Sequence, residues 1–287
     1  MTTKNYLAIY AKSFNWSGFF LPKKIYFKCS VLYDFCRTID NIADQNKDLE
    51  IRKKELEEFK KKFEQKNRND IVIKNMWDLM NERNISKKIV DDLFDGVNSD
   101  LKKEVRIKTE KELLIYSYRV AGTVGLMMAK IFGVKKKESL QRAIDLGIAM
   151  QLTNIARDVV EDEKKNRFYY INNSKDIFSS IKNTILKADS FYDSSFEGIK
   201  DIPLGCRFSI IVARRVYRQI GRKILQKRDI DNYRRAGKIY VTNFGKFIQT
   251  LFSLKDLLIL FFVRKKKYEK EVEYNLISEE IGLNERI

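Results

Sequence analysis

Hydrophobic and polar positions along this chain fall into long runs of helical period, with apolar residues recurring three and four apart. Residues 24–44 read as a helix that is apolar nearly all round, and 47–67 as a charged amphipathic helix. Further helices are predicted at about 71–82, 87–102, 110–133, 137–163, 175–198, 204–227 and 243–263. Gly133 and the lysines after it read as a stop, and Asn172, Asn173 and Ser174 as a loop and N-cap. There is no internal repeat and no sustained heptad. Pro22 and Pro203 are the only prolines, and no Pro/Gly/Ser-rich linker divides the chain. The pattern predicts an all-α fold with residues 1–287 as a single domain.

Two of these helices carry a polar stripe that does not belong on an apolar surface. On 137–163, Gln151, Asn154, Asp158 and Asp162 share one face, while Leu146, Ile148, Leu152, Ile155 and Val159 make the rest apolar. Toward the N-terminus the stripe continues into Gly147 and Ala143. On 24–44, Arg37, Asp40 or Asn41, and Asp44 share a face, with Ser30 two turns before Arg37. Buried charge is costly unless paired or bound to metal, so two such helices predict a polar mouth over an apolar cavity. From Asp158 to Ala143 is roughly 22 Å along a helix, room for a long hydrocarbon. Each Asp pair spaced four apart sets two carboxylates side by side, a pattern suited to Mg²⁺ bridging to a substrate phosphate. A diphosphate is the expected substrate. The loop 163–175 directly follows the second pair and is a candidate lid. Taken singly, each pair is better explained by surface carboxylates meeting lysines; two pairs on otherwise apolar helices, each with Arg37 or Arg157 close by, favour the metal reading.

Composition narrows the chemistry. The chain has no histidine, which excludes His-based triads and His metal sites. Its net charge of +18 raises nucleic-acid binding. The lysines are however mixed with Glu, as in IRKKELEEFKKKFEQK, and the aromatics lie mainly in apolar runs, so no nucleic-acid partner is expected. Cys29, Cys36 and Cys206 have no metal-ligand spacing, and no secretion signal opens the chain, which predicts a cytoplasmic protein. The stretch FIQTLFSLKDLLILFFV at 247–263, followed by RKKK, is too short and interrupted to span a membrane. It reads either as a terminal bundle helix or, with 264–287 as a basic tail, as a membrane-interface helix giving peripheral association.

These residues resemble the squalene/phytoene synthase family, its phytoene synthase branch best. YDFCRTIDNIAD, QLTNIARDVVED followed by NRFYY, LFDGVNSDL at 93–101, YSYRVAGTVGLMM at 116–128 and YRQIGRKI at 217–224 carry the resemblance. SF at 13–14 and FLP at 20–22 look like the opening segment. Asn41, Asn166, Asn172 and Ala11 depart from the family pattern. The resemblance implies an isoprenoid-synthase-type helix bundle around a central apolar cavity. It implies head-to-head condensation of two geranylgeranyl diphosphates, through a cyclopropyl (prephytoene) diphosphate, to phytoene in carotenoid biosynthesis. Asp40, Asp44, Asn154, Asp158 and Asp162 would hold Mg²⁺, or Mn²⁺ in its place. Arg37, Arg157 and Arg167 would bind diphosphate, with Ser13, Phe14, Val120, Ala121, Gln151, Asn154 and Tyr169 as further substrate contacts. Tyr33, Tyr116 and Tyr217 would donate hydrogen bonds or face the cation, although core packing explains each tyrosine equally well. Ala121, Gly125, Ala143 and Gly147 would leave room for the chains, or simply let helices approach. Ser30 and Gly18 are expected at the far end of the cavity. No NADPH is expected. Partners would be prenyl diphosphates, a membrane surface and downstream carotenoid enzymes. The alternatives are squalene or dehydrosqualene synthesis from two farnesyl diphosphates and, more remotely, a non-enzymatic assembly factor of the same fold.

Overall fold

A computed structural model describes residues 12–169, 176–262 and 267–287, and side chains from residue 15 onward. The order of elements is α1 (Lys12–Gly18), α2 (Lys23–Asp44), α3 (Leu49–Glu64), α4 (Ile71–Arg83), α5 (Lys87–Ser99), β1 (Val105–Arg106) and α6 (Glu110–Ser117). A π-helical turn (Tyr118–Gly122) joins α6 to α7 (Thr123–Ile131). Then come α8 (Lys137–Glu163), β2 (Arg167–Phe168), α9 (Ile177–Phe196), a 3₁₀ turn (Glu197–Asp201), α10 (Leu204–Leu225), α11 (Ile230–Arg235), α12 (Asn243–Phe262) and α13 (Glu271–Ile281). The all-α expectation holds, and every helix read from the apolar period is present.

Local chemistry sets the boundaries. Asp48, Asp70, Ser86 and Asp176 each accept a backbone N–H at a helix start, and Thr109 with Glu112 forms a capping box. The cap of α9 is therefore Asp176, which accepts from the amides of Phe178 and Ser179. The expected cap at Asn172–Ser174 lies outside the described residues. Gly133, at φ +81°, ends α7 in the left-handed region. The helix expected over 110–133 is broken at its middle by the π turn, which widens the backbone where Val120 and Ala121 sit.

Helix α8 is the hub, packing against α9, α7, α10 and the π turn. Glycines allow its closest approaches. A Cβ on Gly147 would lie 2.2 Å from the Ala121 carbonyl oxygen, and one on Gly125 2.2 Å from that of Ala143. The core comprises two clusters. The larger centres on Phe35, Phe63 and Phe94 and runs through α8, while the smaller joins α9, α10 and α11 around Ile181, Val212 and Tyr233. The N-terminal helix docks on late elements: Ser209 Oγ donates to the Ser17 carbonyl (2.8 Å) and Trp16 Nε1 to Thr250 Oγ1 (3.0 Å). At the other end of the chain Arg286 forks onto Asp92 (3.0 and 3.1 Å), which also accepts from Tyr118 (3.0 Å).

Two features lay beyond the hydrophobic period. Strands β1 and β2 form a two-residue parallel ladder, with Val105 opposite Arg167 and Arg106 opposite Phe168. Helix α12 is turned inside out. Lys246, Gln249 and Ser253 are buried, whereas Phe247, Leu251, Phe252, Leu254, Leu258, Phe261 and Phe262 are all exposed.

Candidate active site

A cavity of 970 Å³ opens between α1, α2, the π turn, α7, α8 and α10. Its α8 wall runs from Ala143 through Gly147 and Gln151 to Asn154 and Arg157, roughly 21 Å of helix. The stripe read from the sequence is thus a cavity wall from Ala143 to Asn154, small and apolar at one end and polar at the other, whereas its carboxylates, Asp158 and Asp162, lie outside the lining residues. Its α2 wall presents Cys29, Tyr33, Cys36, Arg37 and Asp40. Val120, Ala121 and Tyr217 complete the middle. Gly125 and Gly147 border the cavity while pressing on a neighbouring backbone, so both readings of the small residues apply.

Helical drift removes Ser30 from this wall. Seven residues on an α-helix fall about 20° short of two turns, which sets Ser30 past the edge that the long Arg37 side chain still reaches. Ser30 faces a separate 70 Å³ cavity with Val72 and Asn75, and its Oγ donates to the Tyr26 carbonyl at 3.0 Å. Gly18 borders the main cavity as expected. Ser13 and Phe14 belong to α1, but their side chains lie outside the described residues.

At the polar end the carboxylates are engaged by nearby bases. Arg157 grips Asp158 in a fork (2.8 and 2.6 Å), and Lys238 stands 3.2 Å from the same carboxylate. Arg167 reaches across from β2 to Asp44 (3.0 Å), with Lys165 at 3.6 Å. Tyr116 and Tyr169 stack with ring centroids 4.7 Å apart, and both donate to Asp100 (3.0 and 2.7 Å). These two tyrosines support the site from outside the cavity, whereas Tyr33 and Tyr217 line it. Among the described residues no three acidic or cysteine side chains converge into a preformed metal centre.

The acids nevertheless share one field. Asp40 is exposed on α2 with protein packed around it. That enclosure pushes it up to about 7, opposed by Arg37 and reinforced by Asp44 and Asp100. Burial likewise pushes Asp162 to about 7, with Asp158 adding to the rise and Arg167 and Lys165 opposing it. Asp100 rises to about 6 by burial, held back by its tyrosine donors and Arg167. Carboxyls that raise one another are poised for added positive charge. Burial drives Tyr33 up to about 12 and Tyr217 upward as well, so both keep their hydroxyl protons at the cavity wall. The Asn154 amide donates to Gln151 Oε1 at 3.3 Å, while its own Oδ1 is buried without a partner.

The segment after the second pair owes its position to the β ladder. The amide of Val105 donates to the Asn166 carbonyl (3.0 Å) and that of Ile107 to Phe168 (2.9 Å), which fixes Arg167 opposite Asp44. Asn166 sits at φ +56°. A glycine would be at home there, and asparagine is among the few other residues that tolerate it. Residues 170–175, the rest of the expected lid, lie outside the described residues. Asp100, Lys238 and Lys246 were not singled out from the sequence. Asp100 lies in the quoted LFDGVNSDL stretch, but the carboxylate four residues on, Glu104, falls beyond the end of α5 and shares no helix face with it, and neither lysine stands out among the 57 Lys and Arg residues.

Residues 7–173 match the family described as squalene/phytoene synthase, more than half of the chain. The chain belongs to the squalene/phytoene synthase family. Among curated family members, the 15-cis-phytoene synthase of Pantoea ananas is 30% identical over 249 residues, 77% of this chain and 80% of that protein. The enzyme of the same name from Enterobacter agglomerans is 39% identical over 140 residues, 43% of this chain and 48% of that protein. The chain thus spans about half the length of the first curated relatives it matches. A crystal structure of a dehydrosqualene synthase in complex with ligand superposes with a TM-score of 0.72 at 25% identity, covering 88% of this chain and 94% of that one. A squalene synthase from Alicyclobacillus acidocaldarius shares the fold, with a TM-score of 0.68 at 16% identity over 77% of this chain and 90% of that one.

Proposed function

We propose that this protein joins two geranylgeranyl diphosphates head to head, through a cyclopropyl diphosphate, to phytoene. The balance is two diphosphates and two protons released per phytoene, one proton on closing the cyclopropane and one on forming the central double bond, with no net redox change and so no NADPH. The observation that carries the reading is the 970 Å³ cavity, apolar along most of its length and closed at one end by Arg37, Asp40, Asn154 and Arg157. The two 15-cis-phytoene synthases, which match this chain at 30% and 39% identity, favour it over the farnesyl alternatives.

The donor set fits a hard cation: carboxylates of Asp40, Asp44, Asp158 and Asp162, together with the unpartnered Asn154 Oδ1. When bound there, Mg²⁺ or Mn²⁺ would neutralise negative charge on the departing diphosphate. Arg37, Arg157 and Arg167 offer planar forks to diphosphate oxygens, and Lys238 adds a point charge. Arg157 and Arg167 would exchange their carboxylates for the incoming diphosphate. Tyr33 and Tyr217 present protonated rings whose faces attract an allylic cation. The apolar wall from Ala143 to Met150 excludes water that would otherwise quench the cation. Tyr116 and Tyr169, clamped on Asp100, hold β2 and hence Arg167 in place.

The test is incubation of purified protein with C15 and C20 diphosphates and Mg²⁺, with and without NADPH, followed by lipid-phase product analysis. Phytoene from the C20 substrate is the expected result. Squalene or dehydrosqualene from C15 alone would replace this reading with the farnesyl alternative, and no product from either would favour the non-enzymatic one.

Peripheral association with membrane belongs to the same reading. It is supported by the inverted α12, whose apolar residues face outward, and by the net charge of +18. No helix among the described residues is long and apolar enough to cross a membrane. The segment 238–246 that leads into α12 borders the cavity, so a hydrocarbon product would leave toward that face. Flotation with anionic vesicles at low and high salt tests it, and binding that resists salt yet needs detergent for release would speak against a peripheral mode.

A further inference from the structure

Helix α10 carries Arg214, Arg215, Arg218 and Arg222 along one side, three of them stacked a turn apart. They line a groove of 230 Å³ between α10 and α12, away from the catalytic cavity. Three carboxylates answer these four cations. Arg215 forks onto Asp256 (2.6 and 2.9 Å), and Arg218 bridges Asp189 (2.8 Å) and Asp193 (2.5 Å). Arg214, only 6% exposed, donates to the Tyr192 carbonyl (3.0 Å) and reaches Asp193 at 3.4 Å. Arg222 is exposed and has no ion pair among the described residues. The groove therefore holds one uncompensated positive charge on closely packed guanidinium groups. Burial and the neighbouring Arg218 push Arg214 down to about 10, a sign of that crowding.

Guanidinium forks match phosphate oxygens bidentately. The groove's position says which phosphate. Its α12 wall includes Ile259, which belongs to the outward apolar face, and Arg215 lies over the Phe252 ring at 5.5 Å. An anion seated among the arginines would have apolar side chains beside it, an arrangement suited to an amphiphile. We propose that this groove binds the headgroup phosphate of an anionic phospholipid while Phe252, Leu258 and Ile259 enter the acyl layer. The inference rests on the reading of α12 as the membrane face and adds to it a defined headgroup site.

Full-length protein would be floated with phosphatidylglycerol-containing vesicles and with pure phosphatidylcholine vesicles. The variants are Arg222→Gln, Arg218→Gln/Arg222→Gln, and the charge-matched control Lys61→Gln/Lys62→Gln on α3, which packs against α2 and α5. Thermal melts confirm folding, and Arg222, exposed and unpaired, is the variant least able to disturb it. The expected result is preference of the parent protein for phosphatidylglycerol, reduced on the order of tenfold or more in the double arginine variant and only slightly in the control. Equal binding of the parent to both vesicles would overturn the headgroup site and leave the membrane face standing. Equal loss in arginine variant and control would also overturn it, since diffuse attraction would then suffice. Binding to neither vesicle would overturn both. If millimolar inorganic phosphate raises the melting temperature through Arg222 while vesicle binding ignores Arg222→Gln, the site serves free phosphate and the lipid assignment fails.

Discussion

Replacing Asp145 with asparagine should reverse its effect on stability between acid and neutral pH. Asp145 is 1% exposed on α8 and accepts hydrogen bonds from Ser194 Oγ (2.6 Å) and Tyr268 Oη (2.9 Å). Burial pushes its carboxyl from an ordinary 3.8 up to about 7, against the opposing pull of Ser194, Tyr268, Arg142 and Lys270. Below pH 4 both folded and unfolded forms hold the proton, so the group adds no pH dependence. Between pH 4 and 7 the unfolded chain has released a proton that the folded protein keeps, and stability falls as pH rises. Above pH 7 both are ionised and the loss is complete. A rise of about 3 pK units corresponds to an order of magnitude of 4 kcal/mol. Asparagine cannot ionise and escapes that loss, but it offers one acceptor where the carboxyl offered two, at roughly 1 kcal/mol. Asp145→Asn should therefore be slightly less stable than the parent at pH 4.5 and more stable at pH 8. Urea unfolding of both proteins at half-unit pH steps measures the difference. A difference that is flat with pH, or that turns against the variant as pH rises, would refute the reasoning.

Asp→Asn at 40, 44, 158 or 162 should lower kcat on the order of 100-fold or more with little change in melting temperature, and EDTA should abolish turnover reversibly; activity surviving in all four would remove these acids from the chemistry. Arg286→Met strands Asp92, whose side chain is 8% exposed, and should cost about 3–5 kcal/mol in urea unfolding. The same change in an Asp92→Asn background should cost much less, and equal costs would show that the pair is not coupled. Gly18→Phe should shift the C20/C15 ratio of kcat/KM toward C15, whereas Ser30→Val should leave it unchanged; the reverse pattern would mean that the wrong wall has been assigned to the chain tail. Asn166→Gly should be neutral or stabilising and Asn166→Val destabilising by about 1–2 kcal/mol, since only the latter fights the left-handed backbone; a stable valine variant would argue against that backbone.

The sequence was most informative where one period governs both packing and chemistry. On α8 the interval of three and four residues that buries Leu152 and Ile155 also aligns Ala143, Gly147, Gln151 and Asn154, so one reading yields both the helix and the cavity wall. It fell short where the signal is not periodic. Asp100 acts through Tyr116 and Tyr169, and contacts across 16 and 69 residues leave no local mark. The ladder of β1 with β2 is two residues long, too short for any alternation. Helices α1, α11 and α13 span 7, 6 and 11 residues, roughly two to three turns of pattern. Ser30 was misplaced by treating seven residues as two full turns, a 20° error that matters only at the edge of a wall. The inversion of α12 was half legible: its apolarity stood out, but burial of Lys246, Gln249 and Ser253 depends on what α10 offers them.

The docking of α1 on α10 and α12 bears on how the protein is made. Trp16 bonds Thr250, 234 residues later, and Ser17 receives Ser209. A ribosome adding 5–20 residues per second needs roughly 10–50 s to cover that interval. For that time the opening helix, with Phe19 and Phe20 beside it, has no site to occupy, because the helices that form its site have not been synthesised. The cavity, which α1 helps to wall, is therefore completed late. Until then its apolar lining is open, and chaperones or the membrane surface itself are the places where the unfinished chain could wait.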